Sequence, residues 1–255
     1  VSSLAIERIE SRYLLAGSGN GSLHLYDLDE GVGDDPHSSG SGGGGGLSSA
    51  PPTAPRTITP LGEIPRPAGH AYTVSDVHWY PFDTGLFTTS SFDTTLKVWD
   101  TSALQAACTF HLQDKVLSHT LSSVAPGTNP YAHCLIAAAT TNPLVRLCDL
   151  QSGAFTQTLT GHVGPVISCQ WSPRHAHLLA TGGTDGAVRL WDIRRASSCL
   201  MELNCRQSQS EYQGRAHQGM VNGLNFTEDG FYLVTVGSDQ CIRLWDAATG
   251  DLLPV

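Results

Sequence analysis

Five times along this 255-residue chain an apolar run ends in a two-residue signature: Tyr26-Asp27, Trp99-Asp100, Cys148-Asp149, Trp191-Asp192 and Trp245-Asp246. The intervals are 73, 49, 43 and 54 residues. Six positions before each signature stands a turn-former: Asn20, Asp93, Asn142, Asp185 and Asp239. Allowing for insertions, this is a unit of ~40–45 residues that cannot bury its own apolar surface and is stable only when stacked on its neighbours. The first unit reads "SSLAIERIE", "YLLAGSG", "SLHLYDL" and "RTITPLGEI"; the fifth reads "VNGLNF", "FYLVTVGS", "CIRLWDA" and "DLLPV". Apolar, β-branched and aromatic runs bounded by Gly, Asp and Asn are strand signals. No segment sustains a helical period, so the pattern predicts an all-β chain of about five four-stranded sheets.

Composition narrows the function classes. A 40% hydrophobic and 15% charged content suits a globular chain with a sizeable core. The net charge is −9 and no Lys/Arg block interrupts it, which argues against a nucleic-acid-binding stripe. No run approaches ~18 apolar residues, so no membrane-spanning helix is expected. The opening "VSSLAIERIE" has neither an initiator Met nor the plan of a signal peptide, and predicts an excerpt from a longer protein.

The seven cysteines (Cys108, Cys134, Cys148, Cys169, Cys199, Cys205 and Cys241) form no CxxC or CxxH pair. Neither zinc nor a disulfide framework is predicted. Cys134, Cys148, Cys169 and Cys241 fall in strand-like runs, where a thiol serves as a small buried hydrophobe. That usage fits a reducing compartment. Residues 29–56 are dominated by Gly, Ser and Pro, and predict a disordered insertion between the third and fourth strands of the first unit. The repeat units then comprise residues 1–28 and 57–255.

Three units share one polar set: His70, Thr89, Asp93 and Trp99; His162, Thr181, Asp185 and Trp191; His217, Thr235, Asp239 and Trp245. The His-to-Asp separations are 23, 23 and 22 residues. A His, an Asp and a hydroxyl can make a catalytic triad. Here the set recurs with a Trp attached, no GxSxG elbow accompanies it, and "GSGNGS" fails as a GxGxxG phosphate loop. A structural role is expected, with no catalysis, cofactor, metal or small-molecule substrate. The first and third units put Ala16 and Ala138 at the hydroxyl position, and Tyr26 and Cys148 at the Trp position. They are expected to rely on packing alone.

Period, signature and polar set together resemble the WD40 family, which implies a β-propeller of four-stranded blades, with five of seven blades represented here. The resemblance also implies that each polar set is a hydrogen-bond chain from Asp through His and Thr to the indole of Trp.

Only the fourth unit continues as "WDIRR". Trp191, Asp192 and Arg194 resemble the WDxR motif of substrate receptors for cullin-4 ubiquitin ligases. By that likeness Asp192 shapes the turn and Arg194 projects from the bottom face toward the damage-specific DNA-binding adaptor subunit. The stretches "VHWYPFDTGLFTTSSFDTTLKVWDT", "WSPRHAHLLATGGTDGAVRLWDIRRASSCL" and "VNGLNFTEDGFYLVTVGSDQCIRLW" are similar to the Cockayne syndrome A family. That family implies a nuclear, non-catalytic receptor in transcription-coupled excision repair, with Cockayne syndrome B protein and stalled RNA polymerase II as clients. Its N-terminal helical segment and last two blades have no counterpart in these residues, and the Gly-rich insertion is longer than the family norm. Competing expectations are a DNA-damage or chromatin-binding module, which the acidic charge disfavours, and an assembly scaffold outside ubiquitin pathways.

Overall fold

The computed structural model describes residues 1–29, 58–124, 133–195, 199–205 and 214–254. Within them the chain forms five four-stranded antiparallel sheets, each built from consecutive strands. Blade one contains β1 (Ser3–Ile6), β2 (Tyr13–Gly17), β3 (Leu23–Asp27) and β4 (Pro60–Ile64). Blade two contains β5 (Val74–Trp79), β6 (Leu86–Ser91), β7 (Thr95–Asp100) and β8 (Gln105–His111). Blade three contains β9 (Val116–Leu121), β10 (Leu135–Thr140), β11 (Leu144–Asp149) and β12 (Ala154–Thr160). Blade four contains β13 (Val166–Trp171), β14 (Leu178–Gly183), β15 (Val188–Asp192) and β16 (Cys199–Leu203). Blade five contains β17 (Val221–Phe226), β18 (Tyr232–Gly237), β19 (Ile242–Asp246) and β20 (Leu252–Leu253). This is the architecture of a WD40 β-propeller. No described helix is long and apolar enough to cross a membrane.

The two residues of each signature close the third strand of a blade, and the turn-former six residues earlier opens it. Strand β4 pairs with β3 from Leu23↔Ile64 to Tyr26↔Pro60, so blade one is completed from beyond the Gly-rich stretch. Apart from Asp29, the expected disordered insertion lies outside the described residues.

Among the described residues the core consists of four apolar clusters, one at each junction between successive blades. Leu15 and Leu23 of blade one meet Val74, Val77 and Phe87 of blade two. Leu96 and Val98 of blade two meet Val116 and Ile136 of blade three. Val145, Leu147 and Leu159 of blade three meet Val166, Trp171 and Leu179 of blade four. Val188 and Leu190 of blade four meet Val221, Phe226 and Leu233 of blade five. Each blade's sequence reflects this sandwiching. The second strand of blade four, "LLATGG", is buried along its whole length, whereas the outermost strand of blade three, "AFTQTLT", is mostly exposed. The first strands surround a central cavity of about 330 Å³ reached by Leu4, Asp76, His78, Thr120, Gln170 and Asn225.

The cysteine expectation needs correction. Cys148 and Cys169 are buried, but Cys134 and Cys241 are only half-buried. Both of the latter stand just before a strand, Cys134 ahead of Leu135–Thr140 and Cys241 ahead of Ile242–Asp246, rather than within it. Burial pushes the Cys148 thiol up to about 12, as an inert core residue requires.

Close approach of blades constrains two second-strand glycines. A Cβ on Gly17 would stand 2.6 Å from Cγ1 of Val74, and one on Gly182 would stand 2.6 Å from Cγ1 of Val221. Both valines are fully buried and β-branched, so neither can swing aside. Gly182→Ala should therefore destabilise the protein by about 1–3 kcal/mol through overpacking. Denaturant unfolding checks this, and an unchanged midpoint would show that the blades separate without cost.

Candidate functional site

The three polar sets are assembled as chains. In blade two, the Trp99 indole N–H donates to Thr89 Oγ1 at 2.8 Å, Thr89 lies 2.7 Å from His70 Nε2, and His70 Nδ1 lies 2.9 Å from Asp93. In blade four the distances are 2.7 Å for Trp191–Thr181, 2.8 Å for Thr181–His162 and 3.1 Å for His162–Asp185. In blade five they are 2.9 Å for Trp245–Thr235, 2.8 Å for Thr235–His217 and 2.9 Å for His217–Asp239. One proton arrangement satisfies every member: indole to hydroxyl, hydroxyl to Nε2, and Nδ1–H to carboxylate. The Thr oxygen thereby serves an indole and an imidazole at once, and the chain runs through the core rather than into a cleft.

Each aspartate also ties two loops together. Asp185 accepts the N–H groups of Val163 and Ala187, and Asp239 accepts those of Gln218 and Cys241. Burial opposes ionisation, yet the His, backbone and neighbouring side-chain donors hold Asp93, Asp185 and Asp239 well below the usual carboxylate range. Arg189 and Arg243 extend two of the chains, donating to Asp185 at 3.0 Å and Asp239 at 2.8 Å. The cation two residues before Trp, as in "VRLWD" and "IRLWD", is their signal in the sequence.

Blades one and three do not rely on packing alone, contrary to expectation. In blade one, Asn20 accepts both the backbone and side-chain donors of Ser22, whose hydroxyl also lies 3.0 Å from His24 Nε2. Blade three is fastened to blade two through fully buried His119. Its Nε2 lies 2.8 Å from Thr88 Oγ1 and its Nδ1 lies 3.0 Å from Ser90 Oγ. Asp76 accepts from Ser3 of blade one and Ser118 of blade three, and pairs with His78 at 3.2 Å, so one carboxylate spans three blades.

Asp76, His78 and His119 bring their ligand-type atoms within 4.8 Å of one another. Both nitrogens of His119 are engaged by hydroxyls, which makes the cluster a hydrogen-bond hub. Sequence reasoning missed it because its members come from different blades and repeat nowhere.

At the opposite end of the third strands, five aspartates occupy equivalent positions. The equivalence is fixed by a recurring backbone bond, from the N–H after the Asp to a carbonyl at the start of the second strand: Leu28→Arg12, Thr101→Gly85, Leu150→Cys134, Ile193→His177 and Ala247→Phe231. In blade four, Asp192 receives the Arg194 backbone N–H at 3.1 Å and the guanidinium through Nε at 2.9 Å and Nη2 at 2.6 Å. The Arg194 donors hold Asp192 down to about 2. The Arg194 side chain is 44% exposed above a carboxylate that is only 6% exposed. Arg195 is exposed too, but no fork fixes it. In blade one, Asp27 holds Arg12 in the same bidentate manner, with Nε at 2.9 Å.

Residues 60–100 match the family model for the WD domain, G-beta repeat, and residues 128–249 match that for the nucleolar protein 10-like N-terminal domain. The chain belongs to the WD40-repeat family. It is 34% identical over 98% of its length to WD repeat-containing protein ATCSA-1 of Arabidopsis thaliana, and spans 66% of that protein. It is 25% identical to Radiation-sensitive protein 28 of Saccharomyces cerevisiae, covering 72% of this chain and 40% of the relative. It is 32% identical to ribosome biogenesis protein YTM1 of Phaeosphaeria nodorum, covering 74% and 41% respectively. This WD40 chain therefore spans from two fifths to about two thirds of these relatives.

Asp185→Ala strands buried donors of His162 and two loops, and should cost roughly 1–3 kcal/mol, whereas Asn142→Ala, which loses one 3.3 Å contact to Asp114, should cost less than about 1 kcal/mol. Equal shifts in unfolding midpoint would contradict the chain's structural role.

Burial pushes His119 down to about 3 from an ordinary 6.5, so the folded state binds its proton less readily than the unfolded state. That contribution is fully present above the unfolded value and is lost as pH falls from there toward the folded value. Urea unfolding at pH 7 and 4.5 should show lower stability at 4.5, with a smaller difference for His119→Gln.

Proposed function

We propose that this WD40 chain is the non-catalytic substrate-recognition part of a cullin-4 RING ubiquitin ligase, acting in transcription-coupled nucleotide-excision repair in the nucleus. The damage-specific DNA-binding adaptor subunit docks on the edge that carries Arg194. Cockayne syndrome B protein and stalled RNA polymerase II are the clients, held by other loops of the propeller. The likeness to ATCSA-1 carries this reading, because it runs along 98% of the chain, against 74% for the ribosome biogenesis relative. The Asp192–Arg194 fork supports it: a half-exposed guanidinium held by a buried carboxylate offers directed donors at little further entropic cost.

A second reading, an assembly role in ribosome biogenesis, is favoured by the nucleolar protein 10-like match over residues 128–249. Affinity purification separates the two, since the ligase reading expects the cullin-4 adaptor and the other expects preribosomal particles. In a titration of purified adaptor, Arg194→Ala should weaken binding about thirtyfold, as loss of an interface anchor does. Arg195→Ala should change it less than about twofold and leave the melting temperature unmoved, whereas Arg194→Ala, which strips the buried Asp192 of its fork, should lower the melting temperature modestly while the protein stays folded. Wild-type affinity in Arg194→Ala would remove the docking edge from the reading.

A further inference from the structure

Of the 14 lysine and arginine residues in this chain, only Lys97 and Lys115 are lysines. The two kinds of cation differ in chemistry. A guanidinium stays protonated and accepts no acyl group, whereas a lysine amine, once deprotonated, forms an amide with an activated carboxyl group. Two side chains therefore hold the chain's whole capacity for acylation at lysine, and the structure treats them differently.

Lys97 is committed to the scaffold. It stands on β7 two residues before Trp99, the position that Arg189 and Arg243 hold in blades four and five. Its Nζ donates to the Gly69 carbonyl at 2.5 Å and lies 5.4 Å from the Trp99 ring centroid. Gly69 is itself enclosed at the seam between blades one and two. A Cβ there would stand 2.5 Å from the Gly21 carbonyl oxygen, which already accepts the His70 N–H at 2.9 Å. To react, the half-buried Lys97 amine would have to give up both the carbonyl and the ring face.

Lys115 is arranged the opposite way. It lies in the connection between β8 and β9, whose backbone is fastened to two blades. The Leu112 N–H donates to the Thr94 carbonyl at 2.9 Å, and the Lys115 carbonyl accepts the Thr141 N–H at 3.0 Å. The neighbouring Asp114 accepts from the Asn142 side chain at 3.3 Å. The Lys115 side chain is exposed, and among the described residues nothing bonds its ammonium. A fixed backbone thus holds a free amine out to solvent. Thr94, Thr141 and Asn142 belong to the turns that open the third strands, so Lys115 stands at the end of the propeller opposite Asp192 and Arg194.

We propose that Lys115 is a modification site, the one side-chain amine of these 255 residues that accepts ubiquitin when the chain is assembled in its ligase. This rests on the receptor reading for the source of activated ubiquitin, whereas the preference for Lys115 over Lys97 rests on their contacts alone. An adaptor on the Arg194 edge leaves the Lys115 end uncovered. In the transfer the Lys115 ammonium gives one proton to water, and its amine attacks the thioester carbonyl that joins the ubiquitin C-terminus to a cysteine of the conjugating enzyme. The isopeptide C–N bond forms, the C–S bond breaks, and the cysteine leaves as a thiol with the second proton.

Two measurements on the full chain test this. The first is acetylation of the folded chain by an N-hydroxysuccinimide acetate ester, mapped by peptide mass. Lys115 should be labelled about tenfold faster than Lys97, because only its amine is free of partners. Equal rates would overturn the distinction between the two lysines.

The second incubates wild type, Lys115→Arg and Lys97→Arg with purified adaptor, cullin-4 ligase, the activating and conjugating enzymes and lysine-methylated ubiquitin, so that each added ubiquitin counts one site. Adaptor binding and a melting curve are recorded for every variant. Lys115→Arg should lower modification about tenfold or more while keeping the charge, the melting temperature and adaptor binding, and Lys97→Arg should stay within about twofold of wild type. A wild-type chain that does not bind the adaptor would overturn the receptor reading and this site with it. A chain that binds the adaptor yet is unmodified, or is modified as well in Lys115→Arg as in wild type, would leave that reading standing and overturn Lys115 as the acceptor.

Discussion

A buried indole needs an acceptor for its N–H, and this chain has five tryptophans, each 8% exposed or less. Leaving any one unpaired would cost on the order of 1–3 kcal/mol, a large share of a domain's net stability. The acceptors found for them divide the architecture into two kinds of joint. Trp99, Trp191 and Trp245 donate to threonine hydroxyls within their own blades and so knit the sheets to the loops that carry His and Asp. Trp79 donates to the Ala5 carbonyl of blade one, and Trp171 to the Thr120 carbonyl of blade three, so these two lock neighbouring blades together. Each joint constrains direction as well as distance, which apolar packing alone does not do.

What the sequence made legible follows the same division. Intra-blade joints recur in register, so His70, Thr89, Asp93 and Trp99 can be matched with their counterparts in blades four and five by counting residues. The spacing reflects one geometry: a loop, two strands and a tight turn of nearly constant length. Inter-blade joints carry no such signal. Asp76 and His119 meet across 43 residues of chain, and each depends on where a neighbouring sheet happens to sit. The same blindness produced the mistaken expectation that blades one and three have packing alone. Asn20, Ser22 and His24 solve blade one's problem with different chemistry, and His119 borrows hydroxyls from blade two. At the candidate docking edge, Arg194 was readable because it follows its aspartate immediately. Arg12 was not, because its aspartate lies on the far side of a hairpin.

The repeated scaffold also limits where recognition can be built cheaply. Asp93, Asp185 and Asp239, at one end of the third strands, are committed to histidines and to two loops each. Diverting any of them to a partner would leave several buried donors unpaired. The aspartates at the other end cap turns whose N–H groups lie near solvent, and water can replace a lost cap there at small cost. That edge can therefore take a guanidinium fork in place of one of two turn N–H groups without unravelling the blade. Asp27 and Asp192 of blades one and four keep one turn N–H, from Asp29 and Arg194, and add the fork, whereas Asp100, Asp149 and Asp246 accept two turn N–H groups each.

Such asymmetry between the two ends accounts for how a repetitive fold acquires a particular partner. Identity between blades is maintained where each polar group is answerable to the core, and differences accumulate where an alternative hydrogen bond is available. A fork adds one further property. Because Asp27 and Asp192 neutralise their arginines, each site presents oriented donors rather than net positive charge. This suits a partner's carbonyls and single carboxylates and gives little purchase to a polyanion, in keeping with a chain whose net charge is −9.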